Sequence, residues 1–320
     1  MVRCTPDDDW NGGVTGARFG RLVGIGDARE GMPGIGRVIG QAPDDRLGPE
    51  PAASYDPPTH LSLIIPAYNE AARLGRHLDH VLSFLGSRRY TTELLVVSDG
   101  STDGTRHVVE SAFSGIDPSG PLRAMCLEYV PNAGKGRAVR TGVLASRGNH
   151  VAFTDADLST PIEEVDRALT VLAALDDPGS RMVIGSRAVR GARVGQRQPL
   201  YRQMSARLFN LLRDGITGVH TLRDTQCGLK VFDGPLARAI FAMQVIDGFM
   251  FDVETVYIAQ RMGVVIAELG VAWDDDPDSR VRLSSALRLL PDLFRIRTTH
   301  RHIRPEHRSA IVAPWLTARA

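Results

Sequence analysis

The chain has 320 residues, 43% of them apolar and 23% charged, with a formal net charge of +1. This composition fits a soluble globular protein of one large or two ordinary domains, and it provides no broad basic surface for nucleic acid. Cys4, Cys126 and Cys227 are too few and scattered for a disulfide framework or zinc site, no apolar run reaches about 18 residues, and the first residues lack a signal-peptide core.

The expected location is therefore the cytoplasm. Residues 1–58 are rich in Gly, Pro, Asp and Arg and hold no sustained apolar period, so they read as a disordered or low-complexity extension. The stretch "GIGDAREG" within them lacks the preceding strand and following helix of a dinucleotide-binding loop. From Leu61 the pattern alternates. "LSLII" precedes "NEAARLGRHLDHVLSFL", "ELLVVS" precedes "STDGTRHVVESAF", and "AMCLEYV" precedes "GKGRAVRTGVLAS". "HVAFT" precedes "PIEEVDRALTVLAAL", with Pro161 as the expected first helical residue, and "RMVIGS" follows. Such alternation predicts an α/β fold with a mainly parallel central sheet, flanked by helices and binding its ligands at the strands' carboxyl ends. Further on, helices are expected at 201–213, 235–243 and 250–262, and a strand at "VVIAELGVAW". The catalytic domain is placed at 59–278 and a basic amphipathic segment at 279–320.

Four strand ends carry polar signals. The first, "IIPAYNE", starts a helix with Asn69 and Glu70, and the second, "VVSDGSTDGT", puts Asp99 and Gly100 at a turn. The third, "PNAGKGRAVR", is a basic glycine-rich loop suited to approach a phosphate through backbone N–H groups, without the spacing of a P-loop. The fourth, "TDADLSTP", places Asp155 and Asp157 two residues apart after an apolar strand. On an extended segment both carboxylates point the same way. About 4 Å apart they would repel by about 4 kcal/mol at an effective dielectric of about 20, so a cation is expected between them. Oxygen ligands without His or Cys favour Mg²⁺ or Mn²⁺. Capping by Asp157 or Ser159 is compatible with that role. Together the four ends describe a pocket for a diphosphate-containing nucleotide.

"LSLIIPAYNE", "LLVVSDGSTDGT", "NAGKGRAVRTGVLAS" and "VAFTDADLSTP" together resemble a family 2 glycosyltransferase with the GT-A (nucleotide-diphospho-sugar transferase) fold. "VIGSR", "DTQCGLKVF", "FMFDVETVYIA" and "VAWDDDPDSRV" resemble its polyprenyl-phosphate glycosyltransferase branch, which includes dolichyl-phosphate β-glucosyltransferases. The resemblance implies inverting transfer of a sugar, with glucose from UDP-glucose favoured, to a polyprenyl phosphate. It places Pro66, Tyr68, Glu70, Asp99 and Lys135 around the nucleoside, and Asp155 and Asp157 on the metal and donor diphosphate. Arg187 and Arg202 would hold the acceptor phosphate, with Gln226 and Asp252 near the sugar or acceptor. Ser159 stands where mannosyl relatives carry a further metal ligand. A soluble acceptor, a GDP-mannose donor and a non-catalytic nucleotide-sugar-binding or scaffold protein are the alternatives.

Residues 280–308 hold eight arginines against Asp292 and Glu306, and Leu283, Leu287, Leu290 and Phe294 follow helical spacing. Pro291 is expected to kink this segment. It reads either as a helix packed on the catalytic domain or as an interfacial segment whose arginines meet anionic lipid. Relatives of this branch often carry membrane spans, so peripheral attachment at the inner membrane face or a membrane-protein partner is expected.

Overall fold

The computed structural model describes residues 3–4, 59–117, 119–195, 200–274 and 289–317, with the side chains of 200–207 and 317 outside that description. Arg3–Cys4 form a short strand (β1), so two residues of the segment expected to be an unstructured extension join the sheet; the rest of 1–58 lies outside the described residues. The alternating units then follow as β2 (Leu61–Ala67), α1 (Ala71–Gly86), β3 (Thr92–Asp99), α2 (Thr105–Phe113) and β4 (Leu122–Tyr129). They continue with α3 (Lys135–Ala145), β5 (His150–Phe153), α4 (Glu164–Ala173) and β6 (Arg181–Ser186). After them come β7 (Arg193–Val194), α5 (Leu200–Thr217), β8 (Lys230–Asp233), α6 (Gly234–Met243), α7 (Phe251–Arg261), β9 (Val265–Gly270) and β10 (Ala272–Trp273). Two C-terminal helices close the chain, α8 (Leu290–His300) and α9 (Arg308–Thr317).

The main sheet has the order β1-β9-β6-β8-β5-β2-β3-β4, and β7 pairs with β10 beside it. All seven residues of β2 are buried, as a central strand covered on both faces requires. In α1, Leu74, Leu78, Val81 and Leu85 recur at helical spacing and form the face turned inward. One apolar layer joins α1, α2 and α4 to the sheet; the opposite layer joins α3, α6, α7, α8 and α9 to it. The chain runs outward through β2, β3 and β4, then returns to place β5 on the other side of β2. That reversal opens a crevice at the carboxyl ends of β2 and β5.

Three expectations change. β8 runs antiparallel between β5 and β6, although "DTQCGLKVF" shows no period by which so short a buried strand announces itself. α4 begins at Glu164, not Pro161, because a turn with Glu164 N–H on Pro161 O at 3.1 Å precedes it. Pro291 opens α8 instead of kinking it, since a missing N–H costs nothing in the first helical turn. The buried face of α8 is Leu293, Ile296 and His300, whereas Phe294 is 55% exposed. Leu283 and Leu287 lie outside the described residues. α8 packs on α5 and α7, and α9 packs on α6.

Candidate active site

Asp99 ends β3 and is buried. Its carboxylate accepts from Asn132 Nδ2 (2.8 Å), Ala133 N–H (2.7 Å) and Gly134 N–H (2.8 Å). This side chain, expected beside a nucleoside, holds the basic glycine loop through three hydrogen bonds. Glycine is required on both sides of that clamp. Gly100 has φ of +65°, and a Cβ there would sit 2.5 Å from Asn132 N; at Gly134, with φ of +111°, a Cβ would sit 2.5 Å from Asp247 O. The clamp fixes where α3 starts, and so where Lys135 projects.

The aspartate pair lies in a turn, not on an extended segment. β5 stops at Phe153, Leu158 N–H bonds to Asp155 O at 3.1 Å, and Leu158 takes φ of 49°. Asp157 Oδ1 accepts Ser159 N–H at 2.9 Å, which closes this turn but caps no helix, since α4 starts at Glu164 with no side-chain cap from Asp157 or Ser159. A side-chain cation stands beside Asp155: Lys135 Nζ is 2.6 Å from Asp155 Oδ1. Burial opposes the charge on Asp155, but Lys135, Lys230 and Arg187 outweigh it and hold the carboxyl below its usual range. Asp157 is pushed up, first by burial and then by the charge of Asp155. Burial likewise opposes the Lys135 ammonium, and Asp155, Asp252 and Asp157 raise its pKa regardless. Gly228 leaves room for this arrangement, since a Cβ there would lie 2.4 Å from Asp155 Oδ2.

Two ion pairs flank Asp155, and each contains a partner that sequence reasoning did not single out. Arg187 forms a fork on Asp224, with Nε to Oδ2 at 2.7 Å and Nη2 to Oδ1 at 3.0 Å, and its guanidinium lies 5.3 Å from the Trp273 ring centroid. Arg187 therefore enters the site already oriented. Lys230, fully buried, donates to Cys227 O at 3.0 Å and pairs with Asp252 Oδ1. Asp252 is thus held by a lysine from β8 and does not cap α7. Its carboxyl is raised by burial, against the pull of Lys230 and Lys135. Asp224 and Lys230 both lie in "DTQCGLKVF", and their spacing to either side of Gly228 was the available signal.

The other expected residues are placed as follows. Pro66 is buried in β2, and Tyr68 is 45% exposed just beyond it. Glu70 precedes α1, with both carboxylate oxygens 2.9 Å from Arg73 Nη1, and the positive charge of Arg73 reaches Asp157. Gln226 is exposed, with its backbone N–H on Asp224 Oδ1 at 3.2 Å. Arg202 lies in the first turn of α5, and its side chain falls outside the described residues. Lys135, Asp155, Asp157, Arg187 and Asp252 gather at one rim of the sheet. This rim has fixed cations, one carboxyl held below its usual range and another, Asp157, pushed above it, a charged setting suited to a polyanion bound together with a counter-cation.

The Glycosyl transferase family 2 profile matches residues 62–232. A dolichyl-phosphate beta-glucosyltransferase of Trichomonas vaginalis is 35% identical over 254 residues, covering 77% of this chain and 76% of that protein. The Homo sapiens dolichyl-phosphate beta-glucosyltransferase is 36% identical, covering 76% of each chain. Among solved structures, glucosyl-3-phosphoglycerate synthase from Mycobacterium tuberculosis, in complex with Mn²⁺, UDP and phosphoglyceric acid, superposes with a TM-score of 0.54. That match has 17% identity and covers 77% of this chain and 79% of the other, a likeness of fold.

Proposed function

The chain belongs to glycosyltransferase family 2, and we propose that it transfers glucose from UDP-glucose to a polyprenyl phosphate, inverting the anomeric carbon, with a divalent cation at Asp155 and Asp157. The observation that carries this reading is the convergence on Asp155 of Lys135 from the glycine loop, Lys230 from β8 and Arg187 from the end of β6. The acceptor class comes from the dolichyl-phosphate beta-glucosyltransferases among its relatives.

The donor set fits a hard cation. Two carboxylates project from one turn, and Asp157 is pushed up first by burial and then by the charge of Asp155, both of which a divalent ion would offset. The described residues hold no cluster of three or more His, Cys, Asp or Glu groups able to hold a metal, so donor phosphates and water would complete the coordination. When bound, Mg²⁺ or Mn²⁺ supplies charge stabilisation for the departing diphosphate.

The protein's own groups do the rest. Glycine-loop amides and Lys135 bind the diphosphate, while Pro66, Tyr68 and Glu70 border the nucleoside. The acceptor phosphate has a second pKa of about 6 and is already largely dianionic near neutral pH, so it needs orientation more than a general base. Arg187, its Nε and Nη2 held by Asp224, presents the remaining edge of its guanidinium to that phosphate, with Arg202 as a second cation. Asp252 orients the sugar while Lys230 compensates its charge, and exposed Gln226 borders the acceptor.

No helix among the described residues is long and apolar enough to cross a membrane. Attachment would be peripheral, through exposed Phe294, Arg295, Arg297 and Arg301 of the C-terminal segment, each arginine worth about 1 kcal/mol near an anionic surface.

The test is transfer of labelled glucose from UDP-glucose to polyprenyl phosphate in detergent with Mg²⁺ or Mn²⁺, beside Asp157→Ala. A lipid product lost with the variant and with chelator supports the reading. A folded protein that binds UDP-glucose yet makes no lipid product sinks the acceptor assignment.

A further inference from the structure

Glu254 is fully buried on α7 and has three partners. Its Oε1 accepts Val245 N–H at 2.8 Å, its Oε2 accepts Ile246 N–H at 2.9 Å, and His300 Nε2 lies 2.7 Å from Oε1. His300, only 3% exposed, is the last residue of α8. A carboxylate and an imidazole inside the apolar layer are costly to bury unless every partner is in place, and here they are joined to a loop instead of to the crevice.

That loop touches the site. Residues 244–250 connect α6 to α7, and the first part of that connection, 244–247, lies against the basic glycine loop. Gln244 Nε2 donates to Gly136 O at 3.0 Å and Ile246 O at 2.6 Å, and Arg137 N–H bonds to Asp247 O at 3.1 Å. The approach is so close that a Cβ on Gly136 would sit 2.6 Å from Ile246 O. Asp99 clamps the glycine loop from β3, and the 244–247 connection backs it from the other side. Lys135 lies between these two restraints.

We infer that Glu254 and His300 are positioning residues for donor binding: they hold the 244–247 connection against the glycine loop and so set where Lys135 and the loop amides meet the nucleotide diphosphate. The inference rests on the proposed donor site at residues 132–137. It also makes α8 part of the donor-binding apparatus, because the strut ends on that helix. Neither residue touches the substrate. Losing the strut lets the loop relax while the acid pair and Arg187 stay in place, so donor affinity falls and acceptor use does not.

The experiment compares full-length wild type, His300→Ala and His300→Gln, with Lys135→Ala as the reference for direct donor contact. UDP affinity is read by calorimetry, KM and kcat for each substrate by transfer kinetics, and exchange of the Val245 and Ile246 amides by hydrogen exchange. For His300→Ala the expected result is an approximately tenfold weaker UDP affinity and higher donor KM, about 1.4 kcal/mol, with acceptor KM unchanged and faster exchange at both amides. Gln at position 300 can still donate to Glu254 and should restore most of the loss. If His300→Ala does not fold, Gln244→Leu cuts the connection at its loop end and is judged by the same donor KM and UDP affinity. A fall in kcat or melting temperature with donor KM unchanged would overturn the inference, as would a donor defect without faster exchange. If Lys135→Ala weakens UDP binding and neither strut variant does, the donor site stands and this inference falls. If wild type binds no UDP, both fall.

Discussion

Lys135 Nζ and Asp155 Oδ1 stand 2.6 Å apart and join the start of α3 to the turn after β5. The lysine helps hold the Asp155 carboxyl below its usual range, and under the proposed function it also meets the donor diphosphate. Lys135→Met removes a charge-assisted contact worth about 1.5–3 kcal/mol. UDP affinity should fall about 10–100-fold by calorimetry. Unchanged affinity would remove the glycine loop from the donor site.

Asp157 has the opposite balance. Burial and the neighbouring Asp155 raise its folded pKa, so any stability linked to its protonated form is present below its unfolded value, about 4, and is lost as pH rises through the folded value. At neutral pH without metal, Asp157→Asn should melt no lower than wild type. Mn²⁺ should raise the wild-type melting temperature and leave the variant unmoved. A variant that gains as much from Mn²⁺ as wild type would place the metal elsewhere.

Asp155 and Asp224 are held low despite burial, each by adjacent cations. Their contribution is present above the unfolded carboxylate range and disappears as pH falls through their depressed values. Acid denaturation of Asp224→Asn should therefore show a shallower loss of stability below about pH 4 than wild type, measured by urea midpoints across that range. Equal slopes would mean that Arg187 does not hold Asp224 charged.

Lys230 and Asp252 pair in the interior, with side chains 0% and 6% exposed. Lys230→Met alone leaves an uncompensated carboxylate and should cost about 3–5 kcal/mol in urea unfolding. Adding Asp252→Leu should recover most of that stability, because two apolar side chains then replace a buried pair. Transfer activity should remain absent in the double variant. Recovered activity would show that Asp252 takes no part in the reaction.

Arg187→Lys tests the acceptor end. A lysine cannot span both Asp224 oxygens while presenting a second edge to a phosphate. Loss of one charged hydrogen bond, about 1.5–3 kcal/mol, predicts an acceptor KM raised about 10–100-fold with UDP affinity intact. A change confined to UDP affinity would move Arg187 to the donor.

The sequence alone determined the alternating α/β scaffold and the rim at which the candidate site gathers. Long apolar runs and helix periods are local properties, and polar residues after each strand mark carboxyl ends wherever those strands pair. Asp155, Asp157 and Lys135 stood out for that reason, and Arg187 through the family resemblance of "VIGSR". The tertiary structure decided what the local chain cannot specify. β8 enters antiparallel between two strands that precede it, and only that placement brings Lys230 beneath Asp252 and Asp224 onto Arg187. Asp99 has the same local pattern with or without a loop against it, and only the approach of residues 132–134 shows that its oxygens hold that loop. His300 and Glu254 show the limit most clearly. They are 46 positions apart, and no period or motif joins them, since burial of a hydrogen-bonded polar pair depends on which helices pack together.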